Sequence, residues 1–294
     1  MSLADLVPDV PTLSARLAEV GYLADPGLTT ALFCAVRLPQ PLLLEGEAGV
    51  GKTQAAKSLA HLLDTPLIRL QCFEGIDASE ALYEWNYPRQ LLGIRVAEAR
   101  GDNLAEESLF GPDYLIARPL LAALQHPGPR PAVLLIDEVD RADEEFEAFL
   151  FELLAESTVT IPEIGTLHAV YPPIVILTSN RTRDLHDALK RRCLYHWIDY
   201  PPLTQATAIV RARVPESSAD LAGQVAGAVQ RLRSLDVQKP PGVAEAIDWV
   251  NAAELMGLKT LDSSAVEQTM GSVLKYREDH DVARAAGLDW VAGG

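Results

Sequence analysis

Gly46-Glu47-Ala48-Gly49-Val50-Gly51-Lys52-Thr53 (GEAGVGKT) fits the phosphate-loop pattern G-x-x-x-x-G-K-[ST] at every fixed position. Its flanks agree with that reading. Pro41-Leu42-Leu43-Leu44 before it is a short apolar run suited to a buried parallel strand. Gln54 to Leu63 after it carries Ala55, Ala56, Leu59, Leu62 and Leu63 at helical spacing. The chemistry requires this order. Glycines let backbone N–H groups curl around phosphates, and the N-terminus of the following helix turns a positive dipole toward them. Lys52 is expected to reach the β- and γ-phosphates, and the Thr53 hydroxyl to bind Mg²⁺. Gly46 through Thr53, with Gln54 at the helix start, form the expected nucleotide-contacting set.

From about Leu42 to Asn180 strands and helices alternate, the mark of parallel strands joined by crossovers. Leu67–Cys72 is a second strand by this reading, Ala132–Ile136 a third and Ile174–Thr178 a fourth. The third runs into Asp137-Glu138. An acidic pair at the tip of a buried strand is the Walker B arrangement, in which Asp137 holds Mg²⁺ and Glu138 polarises the attacking water. Asp140 and Asp143, just beyond, are expected to cap a helix. That helix shows an apolar stripe at Phe146, Phe149, Leu150, Leu153 and Leu154, with Glu144, Glu145, Glu147 and Glu152 on the other face. The fourth strand ends in Thr178-Ser179-Asn180. The Asn180 amide there can touch both γ-phosphate and water, the role called sensor 1, or it can simply make an Asx turn.

Two stretches read as insertions. Phe73–Arg118 mixes polar, aromatic and glycine residues in a weak helical pattern. Thr158–Val170 (TVTIPEIGTLHAV) holds two β-prone runs around Gly165, a hairpin. After Tyr200-Pro201-Pro202 the chain turns helical, with stops at Pro215 and Pro240-Pro241. Leu221, Val225, Val229 and Leu232 make one stripe there, and Val266, Met270, Val273 and Leu274 another. The expected organisation is therefore an α/β nucleotide-binding core over residues 1–202, with a parallel sheet between helices, followed by an all-α lid over 203–294.

Composition narrows the function. The 294-residue chain carries a formal net charge of −16, which opposes the phosphate backbone and argues against nucleic acid or an anionic membrane surface as partner. Apolar content of 48% supports a packed core rather than disorder. Cys34, Cys72 and Cys193 are far apart, without a C-x-x-C pair, so buried thiols in a reducing cytoplasm are expected, not a disulfide framework or zinc ribbon. No apolar run approaches spanning length, and Met1–Val10 is acidic, unlike a secretory signal. GTP is disfavoured because no N-K-x-D sequence follows the core.

The order of phosphate loop, Asp-Glu strand, hairpin, Asn strand, arginine pair and helical lid resembles the AAA+ ATPases. LLLEGEAGVGKT, LLIDEVDRAD and VILTSN are similar to the MoxR branch. FEGIDASEALYEWNYPRQLL, LFGPDYLIARPLL, ALKRRCLYHWIDYP and KPPGVAEAIDWV resemble the CoxD-type accessory ATPases of molybdenum–copper carbon monoxide dehydrogenase maturation. The resemblance implies an ATP-hydrolysing enzyme using ATP and Mg²⁺, a cytoplasmic homo-hexameric ring, and remodelling of a client protein such as a metalloenzyme. A von Willebrand factor A domain protein is the partner it implies. It places the phosphate loop at Gly46–Thr53, Walker B at Asp137 and Glu138, sensor 1 at Asn180 and the arginine finger at Arg192, with Arg191 the alternative. Tyr22 is expected either to stack on adenine or to pack in the core. The lid segment Pro240–Glu245 lacks the arginine many relatives carry there, leaving the sensor 2 contact without an owner. Other readings are an activase of rubisco or nitric oxide reductase type, a nucleic-acid motor opposed by the acidic charge, and a non-hydrolysing switch opposed by Glu138.

Overall fold

A computed structural model describes residues 3–38, 40–101 and 106–294, and of residues 78, 106, 107, 151–153, 155 and 156 the backbone alone. The strands are β1 Leu42–Gly46, β2 Leu67–Gln71, β3 Tyr83–Trp85, β4 Leu115–Ala117, β5 Val133–Asp137, β6 Thr158–Ile161, β7 Gly165–His168, β8 Ile174–Ser179 and β9 Leu194–Ile198. The helices before β5 are α1 Leu3–Leu6, α2 Val10–Glu19, α3 Pro26–Arg37, α4 Lys52–Leu63, α5 Ala78–Ala81, α6 Tyr87–Arg100, α7 Glu106–Leu109 and α8 Pro119–Leu124. Those after it are α9 Glu144–Glu156, α10 Asp187–Arg192, α11 Leu203–Arg213, α12 Ala219–Arg233, α13 Val243–Leu255, α14 Ser263–Thr269, α15 Arg277–Ala286 and α16 Leu288–Ala292.

The central sheet has the order β2-β5-β8-β1-β9, with β2, β5, β8 and β1 pairing in parallel. Strands β1, β5 and β8 are buried along their whole length, which is why each reads as a continuous apolar run. The sheet, its flanking helices and the helical C-terminal region are the expected fold class. The fifth strand, β9, is not legible in the sequence. Its residues LYHWI are only partly buried at the sheet edge, so they show no apolar run.

The chain packs as two compact units. One comprises Met1–Val10, Thr29–Glu45 and Leu59–His196; the other comprises Pro11–Leu28, Gly46–Ser58 and Trp197–Gly294. In the first, Leu43, Leu70, Leu134, Ile136, Leu177 and Leu150 belong to one core, and Phe149 and Leu154 pack against it from α9. Leu153 and Glu152 of the expected α9 pattern lie outside the described side chains. Glu147, expected on the solvent face, is buried; it accepts the His186 N–H at 2.8 Å and pairs with Arg183, which satisfies the charge inside the fold. Thr158–Val170 forms the expected hairpin, β6 with β7. Phe73–Arg118 is more than helical. β3 and β4 pair antiparallel with Tyr83 opposite Ala117, a contact too distant in sequence and too short to leave a local pattern. Helix α6 lies between them, capped by the Asn86 side chain on the Arg89 N–H at 3.0 Å and closed by left-handed Gly101.

In the second unit the two stripes read from the sequence are buried. Leu221, Val225, Val229 and Leu232 share a core with Val266, Met270, Val273 and Leu274. Trp249 is enclosed there, with its indole N–H donating to Thr269 Oγ1 at 2.6 Å. Among the described residues no helix is long and apolar enough to cross a membrane.

Candidate functional site

The phosphate loop follows β1 directly, and α4 starts at Lys52, two residues earlier than helical spacing alone suggests. Gly46, Gly49 and Gly51 have φ of +154°, +77° and +100°. A Cβ on Gly46 would also stand 2.4 Å from the Ile198 carbonyl oxygen, so this position needs glycine for both backbone and space. Lys52 is buried and donates from Nζ to the carbonyl oxygens of Gly46 at 2.6 Å and Glu47 at 2.7 Å, which holds its ammonium inside the loop. Tyr22 is half-buried and donates its hydroxyl to Gly51 O at 3.4 Å. Burial, then the charge of Asp25, raises its phenol above the ordinary range, so it serves there as a neutral donor. The position fits a loop-supporting role and leaves adenine stacking a proposal.

The start of α13 meets this loop through backbone. Val243 and Ala244 at the start of α13 donate N–H groups to Gly49 O at 3.1 and 3.3 Å. Glu245 Oε2 caps the same helix by accepting the Gly242 N–H at 2.9 Å, and it lies 2.6 Å from where a Cβ on Gly49 would be. Pro240–Glu245 holds no arginine, yet α12 delivers one beside it. Arg233 donates from Nε to Pro241 O at 2.5 Å and lays its guanidinium 4.1 Å from the centre of the Tyr200 ring. Burial lowers the pKa of that guanidinium. The G-x-x-E spacing of Gly242 and Glu245 is a capping signal legible in the sequence, whereas the contacts of Arg233 leave none.

The acidic pair belongs to the other unit. Asp137 ends β5, almost wholly buried, and takes the Thr178 hydroxyl on Oδ1 at 2.5 Å. Its Oδ2 accepts two N–H bonds from Arg69 of β2, Nη2 at 2.6 Å and Nε at 3.0 Å. Glu138 adopts a left-handed backbone with φ +55° and ψ +50°, a conformation rare outside glycine. Its backbone N–H is held by Thr178 Oγ1 at 2.9 Å, and its carboxylate meets Gln71 Nε2 at 3.1 Å, Arg141 Nε at 3.4 Å and Asn180 Nδ2 at 3.5 Å. Asn180 is thus brought within reach of the Glu138 carboxylate. Asp143 does cap α9, accepting the Phe146 N–H at 2.8 Å. Asp140 does not cap a helix. Buried, it accepts the backbone N–H of Asn180 at 3.2 Å and of Thr182 at 2.8 Å, which fixes the turn carrying the sensor. Arg69 and Gln71 carry no assigned role in the sequence, and Asp140 reads there only as a helix cap. For the first two the signal was a polar pair at alternate positions of the otherwise apolar strand LIRLQ. Arg191 and Arg192 sit exposed at the end of α10.

The donor types suit Mg-ATP. Within one unit the glycine cradle and Lys52 offer donors for phosphate oxygens and Thr53 offers a hydroxyl oxygen; within the other, Asp137 offers a carboxylate oxygen of the hard type magnesium takes. Residues 41–193 match the model of the AAA domain, dynein-related subfamily. The chain belongs to that family. This AAA domain chain is 25% identical over 203 residues to the denitrification regulatory protein NirQ of Stutzerimonas stutzeri, covering 67% of the chain and 64% of NirQ. It is 26% identical over 169 residues to an uncharacterized protein of Staphylococcus aureus strain USA300, covering 55% of the chain and 57% of that protein. The chain therefore spans less than two thirds of the length of these curated relatives. Among solved structures it is similar to a single-residue mutant of Thermotoga maritima RuvB, with a TM-score of 0.49, 18% identity, and coverage of 83% of this chain and 67% of that one.

Proposed function

We propose that this AAA domain protein is a MoxR-type Mg-ATPase that remodels a client protein, in the maturation of a metalloenzyme such as molybdenum–copper carbon monoxide dehydrogenase. The observation that carries the ATPase reading is the pair of carboxylates at the end of β5, with Asn180 reaching Glu138 and Thr178 bracing Asp137. In this reading the phosphate loop and Lys52 hold the β- and γ-phosphates, and Thr53 and Asp137 hold Mg²⁺. Glu138 accepts a proton from the attacking water while Asn180 orients it. The magnesium supplies charge neutralisation on the phosphates.

The remodelling part of the reading draws on the MoxR and CoxD resemblance and on the regulatory description of NirQ. An activase of rubisco or nitric oxide reductase type is the alternative within the class. The Phe73–Arg118 insertion supports client contact through its exposed apolar residues. Tyr83 and Trp85 pack edge to face at 5.8 Å between ring centroids, and Trp85 meets Phe110 at 5.3 Å. Phe73 and Tyr87 are exposed, as are Leu91, Leu92 and Val96 on α6. We assign those five to client contact. A homo-hexameric cytoplasmic ring with Arg192 acting in trans, a von Willebrand factor A domain partner, and the absence of nucleic acid as partner complete the proposal; the net charge of −16 supports the last.

Glu138→Gln tests the core of this. The variant is expected to bind Mg-ATP with native affinity, since the phosphate loop is untouched, and to turn over at least about 100-fold more slowly. Native-like phosphate release by Glu138→Gln refutes the assignment of that carboxylate.

A further inference from the structure

Asp137 has a companion that the ATPase reading does not use. Its side chain is only 4% exposed, whereas that of Arg69 is 47% exposed. A buried carboxylate needs a counter-charge, and Arg69 supplies it with two N–H bonds to one oxygen, Oδ2. The register explains the pairing. β2 and β5 run parallel with Arg69 opposite Leu135 and Gln71 opposite Asp137, so Arg69 and Gln71, two apart, project on the same side of β2 at its carboxyl end. The same Arg69 Nη2 also donates to Gln71 Oε1, and Gln71 in turn donates to Glu138. One guanidinium thus ties down the oxygen of Asp137 and the amide that grips Glu138.

We propose that Arg69 is an internal competitor for magnesium: it occupies Asp137 Oδ2 while the metal is absent and withdraws toward solvent when Mg²⁺ arrives, so that it sets the magnesium concentration at which the chain takes up Mg-ATP. The proposal rests on Asp137 being a metal-side ligand. The physical reason is that a guanidinium and a divalent cation cannot share one carboxylate oxygen without strong repulsion. The half-exposed position of Arg69 gives it a route out, since its stem can swing into water without opening the core. The opposite role is equally concrete: an Arg69 that stays on Asp137 would orient it for the metal, and its removal would then weaken magnesium binding. The two roles predict opposite signs.

The experiment titrates MgCl₂ into full-length protein at fixed concentration of a fluorescent ATP analogue. It reads the magnesium concentration at half-maximal change, with Mg-free nucleotide affinity measured in EDTA. Arg69→Gln and Arg69→Met are each expected to lower that concentration about tenfold while leaving Mg-free nucleotide affinity within about twofold. Arg69→Lys, which keeps the charge but loses the fork, should fall between. Thermal melts of each variant show that the fold is retained. An unchanged or higher magnesium requirement in Arg69→Gln and Arg69→Met overturns the proposal. Asp137→Asn separates that failure from failure of the underlying reading. If Asp137→Asn leaves the magnesium titration as in the native chain, Asp137 is not a metal-side ligand and the ATPase assignment fails first. If it raises the requirement while the Arg69 variants do not lower theirs, only the competition is wrong.

Discussion

Gly242→Ala is the substitution with the most direct structural consequence for the contact between α13 and the phosphate loop. Gly242 has φ −89° and ψ −168°, a conformation alanine adopts without strain, so the effect is one of space alone. An added Cβ would stand 2.8 Å from both Cα and C of Gly49 and 2.9 Å from the Ala48 carbonyl oxygen. All three are backbone atoms that cannot rotate away. Restoring ordinary contact distance requires the start of α13 to back off by roughly half an ångström. The N–H bonds of Val243 and Ala244 to Gly49 O, now 3.1 and 3.3 Å, would then pass beyond hydrogen-bond range. At about 0.5–1.5 kcal/mol each, their loss totals about 1–3 kcal/mol, or roughly 5- to 150-fold in the population with α13 seated on the loop. Gly223→Ala in α12 is the control, because its Cβ would meet nothing nearer than Thr207 Cγ2 at 4.0 Å. That change should stabilise the helix by about 0.4–1 kcal/mol. The assay is amide hydrogen exchange at Val243 and Ala244 together with nucleotide affinity. Exchange is expected to rise and affinity to fall by about tenfold in Gly242→Ala and in neither respect in Gly223→Ala. Identical exchange and affinity in the two variants would refute the coupling of α13 to the loop.

Arg192→Ala is expected to keep nucleotide binding and to lose about 10³-fold in turnover. Mixing it with Glu138→Gln should restore part of the rate wherever an intact arginine meets an intact carboxylate; full activity of a diluted monomer contradicts the trans role. The thiols give an independent check on the fold. Burial, followed by the charges of Asp137, Asp140 and Glu138, pushes the Cys72 thiol up to about 12, and burial does the same for Cys193. At pH 8 each is then roughly one part in 10⁴ thiolate; buried Cys72 should react with an aromatic disulfide reagent only on unfolding, well after half-buried Cys34. Reaction of Cys72 as fast as Cys34 would contradict the packing around β2.

What the sequence alone determined follows from local physics. The phosphate loop is legible because three glycines with positive φ and the helix start at Lys52 are properties of consecutive residues. Strands β1, β5 and β8 are legible because burial on both faces demands unbroken apolar runs. The stripe on α12 is legible because one helix face is enclosed. Tertiary structure decided the rest, wherever a side chain's meaning depends on a partner far along the chain. Arg69 reaches Asp137 across 68 positions and Asp140 reaches Thr182 across 42, because the sheet order β2-β5-β8 sets their strands side by side. Glu147 reads as a solvent-facing acid until Arg183 and the His186 amide surround it. Arg233 reads as the end of a helix until Pro241 and Tyr200 close on it. A hydrogen bond between distant segments leaves no period in either of them, so only the fold could show which charges face the reacting groups.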